Sequence, residues 1–523
     1  MKAKPNISAQ QLTLPSWVPL LVFVALALRV GFLLYDRGFT SYDDGVAAEG
    51  ARLVLQGEVP YRDFWTIYSP GSYYVNALGL AIFGGKLISI RLMGLLLNGV
   101  QAMFLYGILR RTCRNNLFGV AAAACYLVYM PIGMLGCWVT PGLAAIYSLI
   151  GVIENPKSCW LYICGLFLGI TILIRQDAGL YLTSATLLVI YWTAVSFREK
   201  PLPLLAKPLI PMILTVGSAI AYFAAHNALA PMIKDTLYFS LFVFPHSRPM
   251  PYPMPWNEVL VIGQYSAPVL ISALYQLTAF YILPAALIIL TLLSVRRLVR
   301  SGYDREALPQ VALFCIATVL FLLVGVRPSG ARIGASVAMS LVAFAACSSW
   351  PSRGLRLASA VLLTISLVAY APFAIYTVWA HRSYATSAIA GTGGVCAASG
   401  HAEVLAVTCA KVREITSPSE RILCGAPIIY FIAGRDPGTR YYEPHPCLTD
   451  TPKVQRTIIK DIEHNHVRYF VRSHEWDFDN GYFTIEPNHQ PKILVAYIER
   501  NYKVVYNYTL FQIYQRVTPF STP

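Results

Sequence analysis

The chain has 523 residues, 56% of them hydrophobic and only 13% charged, with a mean hydropathy of +0.53 and a formal net charge of +15. Composition of this kind, in apolar runs of about 20 residues, excludes a soluble domain and marks a polytopic α-helical membrane protein. The positive charge does not point to nucleic acid, because the Lys and Arg sit in short clusters beside apolar runs, where membrane orientation and anionic headgroups account for them.

Met1 to Ser16 is polar and carries Lys2 and Lys4, and no small-residue cleavage site follows the first apolar run, Trp17 to Leu34. That run therefore reads as a retained signal anchor. A polar loop, residues 35–86, comes next. In it Asp43 and Asp44 head a helix-compatible run, Gly45 to Gln56, and Asp63 lies among Tyr61, Phe64, Trp65 and Tyr68. The loop closes on Ser69-Pro70-Gly71, and Tyr73 to Phe83 is apolar but too short to span, as expected of an interfacial helix.

Further spans are predicted at Leu87–Leu109, Leu117–Gly133, Leu135–Ile153, Trp160–Ile174, Ala178–Phe197, Leu209–Leu229, Ser266–Leu293, Val311–Val326, Ile333–Cys347 and Leu357–Trp379. Every even-numbered span ends in basic residues, such as Arg110, Arg111 and Arg114, or Arg296, Arg297 and Arg300. The positive-inside rule makes those ends cytoplasmic. Eleven spans follow, with the N-terminus inside. The acidic loop, a Pro-rich segment and everything after residue 379 then lie outside.

From about Ala380 the pattern changes. Helical stretches (Ala402–Glu414, Lys453–His464, Lys492–Asn501) alternate with strand-like ones (Arg421–Leu423, Arg440–Tyr442, Val467–Val471, Lys503–Asn507, Phe511–Tyr514). The chain thus divides into a transmembrane domain, 1–379, and a C-terminal extracytoplasmic α/β domain, 380–523. The 11 cysteines show no zinc spacing and no C-x-x-C. Cys396, Cys409, Cys424 and Cys447 fall in the outer region, where one or two disulfides can form with a pairing the sequence does not specify.

Three groups of residues could carry chemistry. Adjacent carboxylates repel, so Asp43 and Asp44 either hold one raised pKa or share a cation or a cationic partner. A carboxylate at the membrane surface can deprotonate an acceptor hydroxyl, whereas an Asp opening a helix can equally serve as its N-cap; the two roles can coexist. Arg175, Arg327 and Arg332 sit at outer helix ends, where a guanidinium fork suits a phosphate group or snorkels to headgroups. Asp177 is placed to orient Arg175 or a neighbour. Tyr61 and Tyr68, with Asp63, could line a sugar site, though an interfacial aromatic belt explains the rings as well.

These features together resemble the GT-C superfamily of polyprenyl-phosphate-sugar-dependent glycosyltransferases. The likeness is greatest to bacterial relatives of the protein O-mannosyltransferases and to the lipid A aminoarabinose transferases. It rests on Tyr42-Asp43-Asp44-Gly45 in the first outer loop, the following Ala51, Val54 and Gly57, then Pro60-Tyr61-Arg62-Asp63, Pro70-Gly71, and the Leu-Ile-Arg-Gln-Asp end of the fifth span. The resemblance implies an integral protein of a bacterial inner membrane, N-terminus cytoplasmic and C-terminal domain periplasmic. It implies transfer of a monosaccharide, with inversion, from a polyprenyl-phosphate donor to a protein, lipid or glycan acceptor. Asp43 takes the activating position of the pair. The second position, commonly Glu, is Asp44 followed by Gly45, a departure that leaves the division of labour between the two acids open. No cofactor is required by this scheme, although a divalent metal would be compatible with the acids. A transporter or flippase of lipid-linked glycans is the alternative from another class; it would place ionisable groups at mid-membrane and often shows internal repeats.

Overall fold

A computed structural model describes residues 17–113, 136–244, 251–256, 266–326, 328, 330–347, 350, 352–443, 448–449, 451–473 and 491–520. The chain is mostly helical, with a small sheet near its C-terminal end. In order, α1 is Trp17–Phe32, α2 Asp43–Leu55, α3 Gly71–Phe83, α4 Leu87–Thr112, α5 Val139–Glu154, α6 Trp160–Ile174, α7 Gln176–Phe197 and α8 Pro201–Ala225. Next are α9 Leu229–Ile233, running into a π-helical stretch Lys234–Val243, and α10 Ala267–Leu277, joined to α11 Leu283–Arg300 by a π-helical turn Thr278–Ile282. The bundle ends with α12 Leu308–Phe321, α13 Leu323–Val326, α14 Gly330–Ala346 and α15 Arg353–Tyr384.

Six helices among the described residues are long and apolar enough to cross a membrane: Leu87–Thr112, Gln176–Phe197, Pro201–Ala225, Ala267–Arg300, Arg305–Gly325 and Arg353–Tyr384. Shorter apolar helices occur at Val18–Phe32, Val139–Glu154, Trp160–Ile174 and Ile333–Ala346. Each coincides with a predicted span; the predicted span Leu117–Gly133 lies outside the described residues. α8 begins earlier than expected, at Pro201, because proline suits the first helical turn, where its missing N–H is not needed. Pro208 and Pro211 are then accommodated inside it.

The bundle packs around α12, which is apolar on all sides and so has no solvent face to spare. Leu308, Val311, Leu313, Phe314 and Ile316 on it are fully buried, against α7, α11 and α14. The α6 helix is held between α5, α7 and α8.

Beyond α15, β1 (Ser387–Ala388) pairs with β2 (Cys396–Ala397). A second sheet has the order β3 (Leu423–Cys424), β4 (Tyr469–Ser473), β6 (Phe511–Arg516), β5 (Tyr502–Tyr508), parallel between β3 and β4 and antiparallel elsewhere. Helices α16 (Ser399–Ile415), α17 (Pro427–Ala433), α18 (Pro452–His464) and α19 (Lys492–Asn501) complete the C-terminal α/β region. The predicted strand Arg440–Tyr442 is not one. Its backbone is turned instead toward the acidic loop, where the Arg440 carbonyl accepts a hydrogen bond from the Trp65 amide at 2.8 Å. Of the four outer cysteines, Cys396, Cys409 and Cys424 are buried and not disulfide-bonded, and Cys447 lies outside the described residues.

The acidic loop and the C-terminal region share a single core. Val46, Ala47 and Ala51 of α2 and Tyr73 and Ala77 of α3 are buried in one cluster with Ile428 and Ile429 of α17, Val471 of β4 and Ile513 of β6. Gly45 makes this possible. A Cβ there would meet the backbone of Ile428, 2.9 Å from its Cα, so only glycine lets α2 lie this close to α17. The glycine that follows Asp44 thus has a packing cause.

Candidate active site

The loop 35–86 presents its two acids in unlike settings. α2 begins at Asp43, and Tyr42, the residue before it, makes no side-chain cap. Asp44 instead takes part in a reciprocal exchange with Thr40, whose hydroxyl accepts from the Asp44 amide at 3.3 Å while its own amide donates to the Asp44 carboxylate. Asp44 is buried, and its carboxylate turns back from the helix. Its Oδ2 accepts from the Arg91 Nη2 at 2.7 Å and from the Thr40 amide at 2.9 Å. Arg91, itself buried in the second turn of α4, also donates to the Gly38 carbonyl at 3.1 Å. The salt bridge ties the head of α2 to the start of a membrane helix. Asp43, by contrast, is exposed.

The residues just before Asp43 are fixed one by one. Thr40 holds the Asp44 carboxylate through its amide, the Ser41 hydroxyl is 3.0 Å from His401 Nε2, and the Tyr42 hydroxyl donates to Glu443 Oε1 at 3.2 Å. Further along α2, the fully buried Glu49 accepts two hydrogen bonds from Arg52 at 2.7 and 2.9 Å, and Arg52 bridges on to Asp436 at 2.9 Å. Burial pushes the Glu49 carboxyl up to about 7 despite that guanidinium.

Asp63 and Tyr61 serve the loop's own architecture. Arg62 grips both oxygens of Asp63 at 2.8 and 2.7 Å, and the Val59 amide donates to it at 2.6 Å. Burial works against ionisation of Asp63, but these donors outweigh it and hold its pKa below the usual carboxylate value. Tyr61 takes a left-handed conformation, φ +71°. It is fully buried, its hydroxyl donates to the Tyr68 carbonyl at 2.7 Å, and its ring meets Phe223 edge-on. Tyr68 is half-buried beside it.

The far end of the loop is anchored where α6 breaks into α7. Arg175 is extended there, with φ −152° and ψ 101°. The Ser69 hydroxyl bonds the Gln176 side chain and accepts from the Gln176 amide. A Cβ on Gly71 would lie 2.6 Å from the Leu173 carbonyl, so glycine is required at this approach too. Arg175 and Asp177 form a two-pronged pair at 2.9 and 3.3 Å, with the guanidinium 5.5 Å above the Trp138 ring. Below Trp138 an apolar cavity opens between α5, α7, α12 and α14, lined by Gly142, Leu143, Leu182, Leu320 and Met339. Arg327 lies outside the described residues, and of Arg332 only its place in the first turn of α14 is described.

A third meeting point joins the loop to the stretch after α9. Asp235 is buried, with Arg440 Nη2 at 3.9 Å, and Arg440 donates to the Tyr61 carbonyl at 2.6 Å. Burial pushes the Asp235 carboxyl up to about 6, against the pull of Arg440 and Lys234. Among the described residues no group of three or more His, Cys, Asp or Glu is placed to hold a metal ion.

Arg91, His401, Glu443, Asp235 and Arg440 are all absent from the sequence-based site. Only Arg91 left a readable signal, an ionisable residue inside a predicted span, which is rare unless paired or functional. The others depend on the docking of segments that follow the loop by 149 residues for Asp235 and by more than 300 for the other three.

Residues 68–233 match the family described as dolichyl-phosphate-mannose-protein mannosyltransferase. A sequence search of the curated proteins gives no match. Among solved structures, the fold is similar to that of ArnT from Cupriavidus metallidurans, crystallised bound to undecaprenyl phosphate. The TM-score is 0.51 and the identity 15%, over 97% of this chain and 100% of that one. The GT-C resemblance read from the sequence is borne out in both respects, by a family match in its first half and by the fold along nearly its whole length.

Proposed function

We propose that this GT-C-like membrane protein transfers a monosaccharide from a polyprenyl-phosphate donor to an extracytoplasmic hydroxyl, with inversion, and that Asp43 is the general base. The observation that carries this reading is the split of the acid pair. Asp44 is buried against Arg91 and is committed to holding the loop, while Asp43 stands exposed one residue away at the head of α2. In a single displacement, the carboxylate takes the acceptor's proton as its oxygen attacks the anomeric carbon, and the polyprenyl phosphate leaves from the opposite face. Arg175, steadied by Asp177, would meet the charge that develops on that phosphate. The apolar cavity beside Trp138, about 20 Å³ and so no larger than a water site, adjoins this junction. Tyr68 is placed near this junction, Arg327 and Arg332 belong to the same proposed anion site, and Tyr61 and Asp63 hold the loop in shape.

The donor is inferred from the family match and from the undecaprenyl phosphate in the ArnT crystal. The outward face of the loop and of the proposed domain 380–523 rests on the basic clusters at alternate helix ends. Reporters fused after Arg198 and Arg300 are expected to read cytoplasmic, and one after Ala402 outside. The reaction itself is tested by mass spectrometry of cell-envelope glycans from cells with and without the protein. A sugar missing from one acceptor class, with its polyprenyl-phosphate donor accumulating, is the expected result. Unchanged glycans with lipid-linked sugar stranded on the cytoplasmic leaflet would favour a flippase instead.

A further inference from the structure

We infer that His401, supplied by the C-terminal α/β region, is a positioning residue of the catalytic loop, acting through Ser41 on the turn that carries Asp43; this rests on Asp43 being the base. Three consecutive residues before Asp43 each have a side-chain-mediated anchor, and each anchor comes from a different place. Thr40 is held by Asp44 within the loop, Ser41 by His401 on the first turn of α16, and Tyr42 by Glu443 after α17. A turn fixed at three successive positions has little freedom to redirect the next side chain. The cost of ordering it has been met before any acceptor arrives.

The Ser41–His401 contact is the part of this arrangement best suited to aim rather than merely to bury. Ser41 is buried, and the 3.0 Å contact of its hydroxyl is made across 360 residues of chain. The imidazole stands against the Phe39 ring, with centroids 5.8 Å apart. Burial pushes its pKa below the ordinary value, so at neutral pH it is an uncharged ring with one donor and one acceptor nitrogen. The attachment of α2 to the C-terminal region does not depend on it. Arg52 with Asp436, Tyr442 with the Val46 carbonyl, and the shared apolar core supply that. Loss of the His401 contact should therefore loosen the aim of Asp43 without undocking the loop.

The test uses the full-length protein in detergent, with membranes from cells lacking it as the source of donor and acceptor, and reads release of polyprenyl phosphate. His401→Ala and Ser41→Ala are each expected to slow release by a similar factor, up to about 100-fold for a misaimed base. Their combination should be no slower than either alone, because both remove one contact. His401→Gln, which can still reach Ser41 with an amide, should recover most of the rate. Affinity for undecaprenyl phosphate and the thermal midpoint should stay at wild-type values in all of them. Wild-type release by His401→Ala, additive losses in the double variant, or a loss of rate matched by lost lipid affinity and lost stability would each overturn the inference. Asp43→Asn run alongside separates the two claims: if it is inactive while His401→Ala is normal, only the positioning role falls, and if it is active, the base assignment falls first.

Discussion

Arg91 Nη2 and Asp44 Oδ2 lie 2.7 Å apart, with both side chains about nine-tenths buried. An ion pair so enclosed gives only modest net stability, since desolvation offsets most of the attraction. Removing one partner is another matter, because a buried charge is then left uncompensated. Arg91→Ala is expected to cost about 3–5 kcal/mol, read as a lowered midpoint in thermal unfolding. The double variant Arg91→Ala with Asp44→Ala should recover part of that loss. A single variant as stable as the parent would show that Asp44 is not committed to Arg91.

Asp235 makes a prediction about pH. Its carboxyl titrates at about 6 in the folded protein because it is buried, against roughly 3.9 for an unperturbed aspartate. Between those values the folded state binds the proton more tightly than the unfolded state does. This contribution to stability is therefore complete below pH 4 and lost as pH rises through 6. Asp235→Asn should remove that dependence and be no less stable than the parent at pH 7. Thermal midpoints measured from pH 4 to 7 check it, and an unchanged slope in the variant would count against the buried carboxyl as its source.

Arg175 is expected to discriminate between charge and shape. Its guanidinium is already aligned by Asp177 and faces the Trp138 ring, an arrangement that a lysine cannot reproduce. Arg175→Lys should bind undecaprenyl phosphate more weakly than the parent and Arg175→Ala more weakly still, with losses on the order of 10-fold or more for the latter. Scintillation proximity or microscale thermophoresis would measure both. Equal, parental affinity in the two variants would remove Arg175 from the anion site.

The hydrophobic pattern specified most of the scaffold. Each predicted span that falls on described residues is an apolar helix, and the helix expected after Asp44 forms within two residues of its predicted start, because burial in a bundle follows directly from apolar periodicity. What the pattern could not convey was which face α2 would present and to what. Gly45 read as a weak detail of a motif, yet it is the point where α17 touches. Nor did α17 itself, Pro427–Ala433, stand out as a helix, since seven buried residues are too few for periodicity to register. Arg440 read as a strand residue from its β-compatible neighbours. Its backbone in fact serves Trp65 and its side chain Tyr61 and Asp235, a tertiary role that overrides local propensity. The acid pair was visible from the outset, but the unlike settings of its two members depend on Arg91, 47 residues beyond Asp44.

The central claim is that Asp43, and not its neighbour, removes the acceptor's proton. Asp43→Asn keeps the size and polarity of the side chain, serves equally well at a helix start, and cannot accept that proton. Because Asp43 is exposed, the substitution should leave the fold intact. The measurement is the rate of polyprenyl phosphate release from cell-envelope membranes by purified Asp43→Asn, beside a matched gel-filtration profile and undecaprenyl phosphate affinity. The account predicts a parental profile and affinity with a rate lower by about 10² to 10⁴. Release at the parental rate by the Asn variant would contradict it.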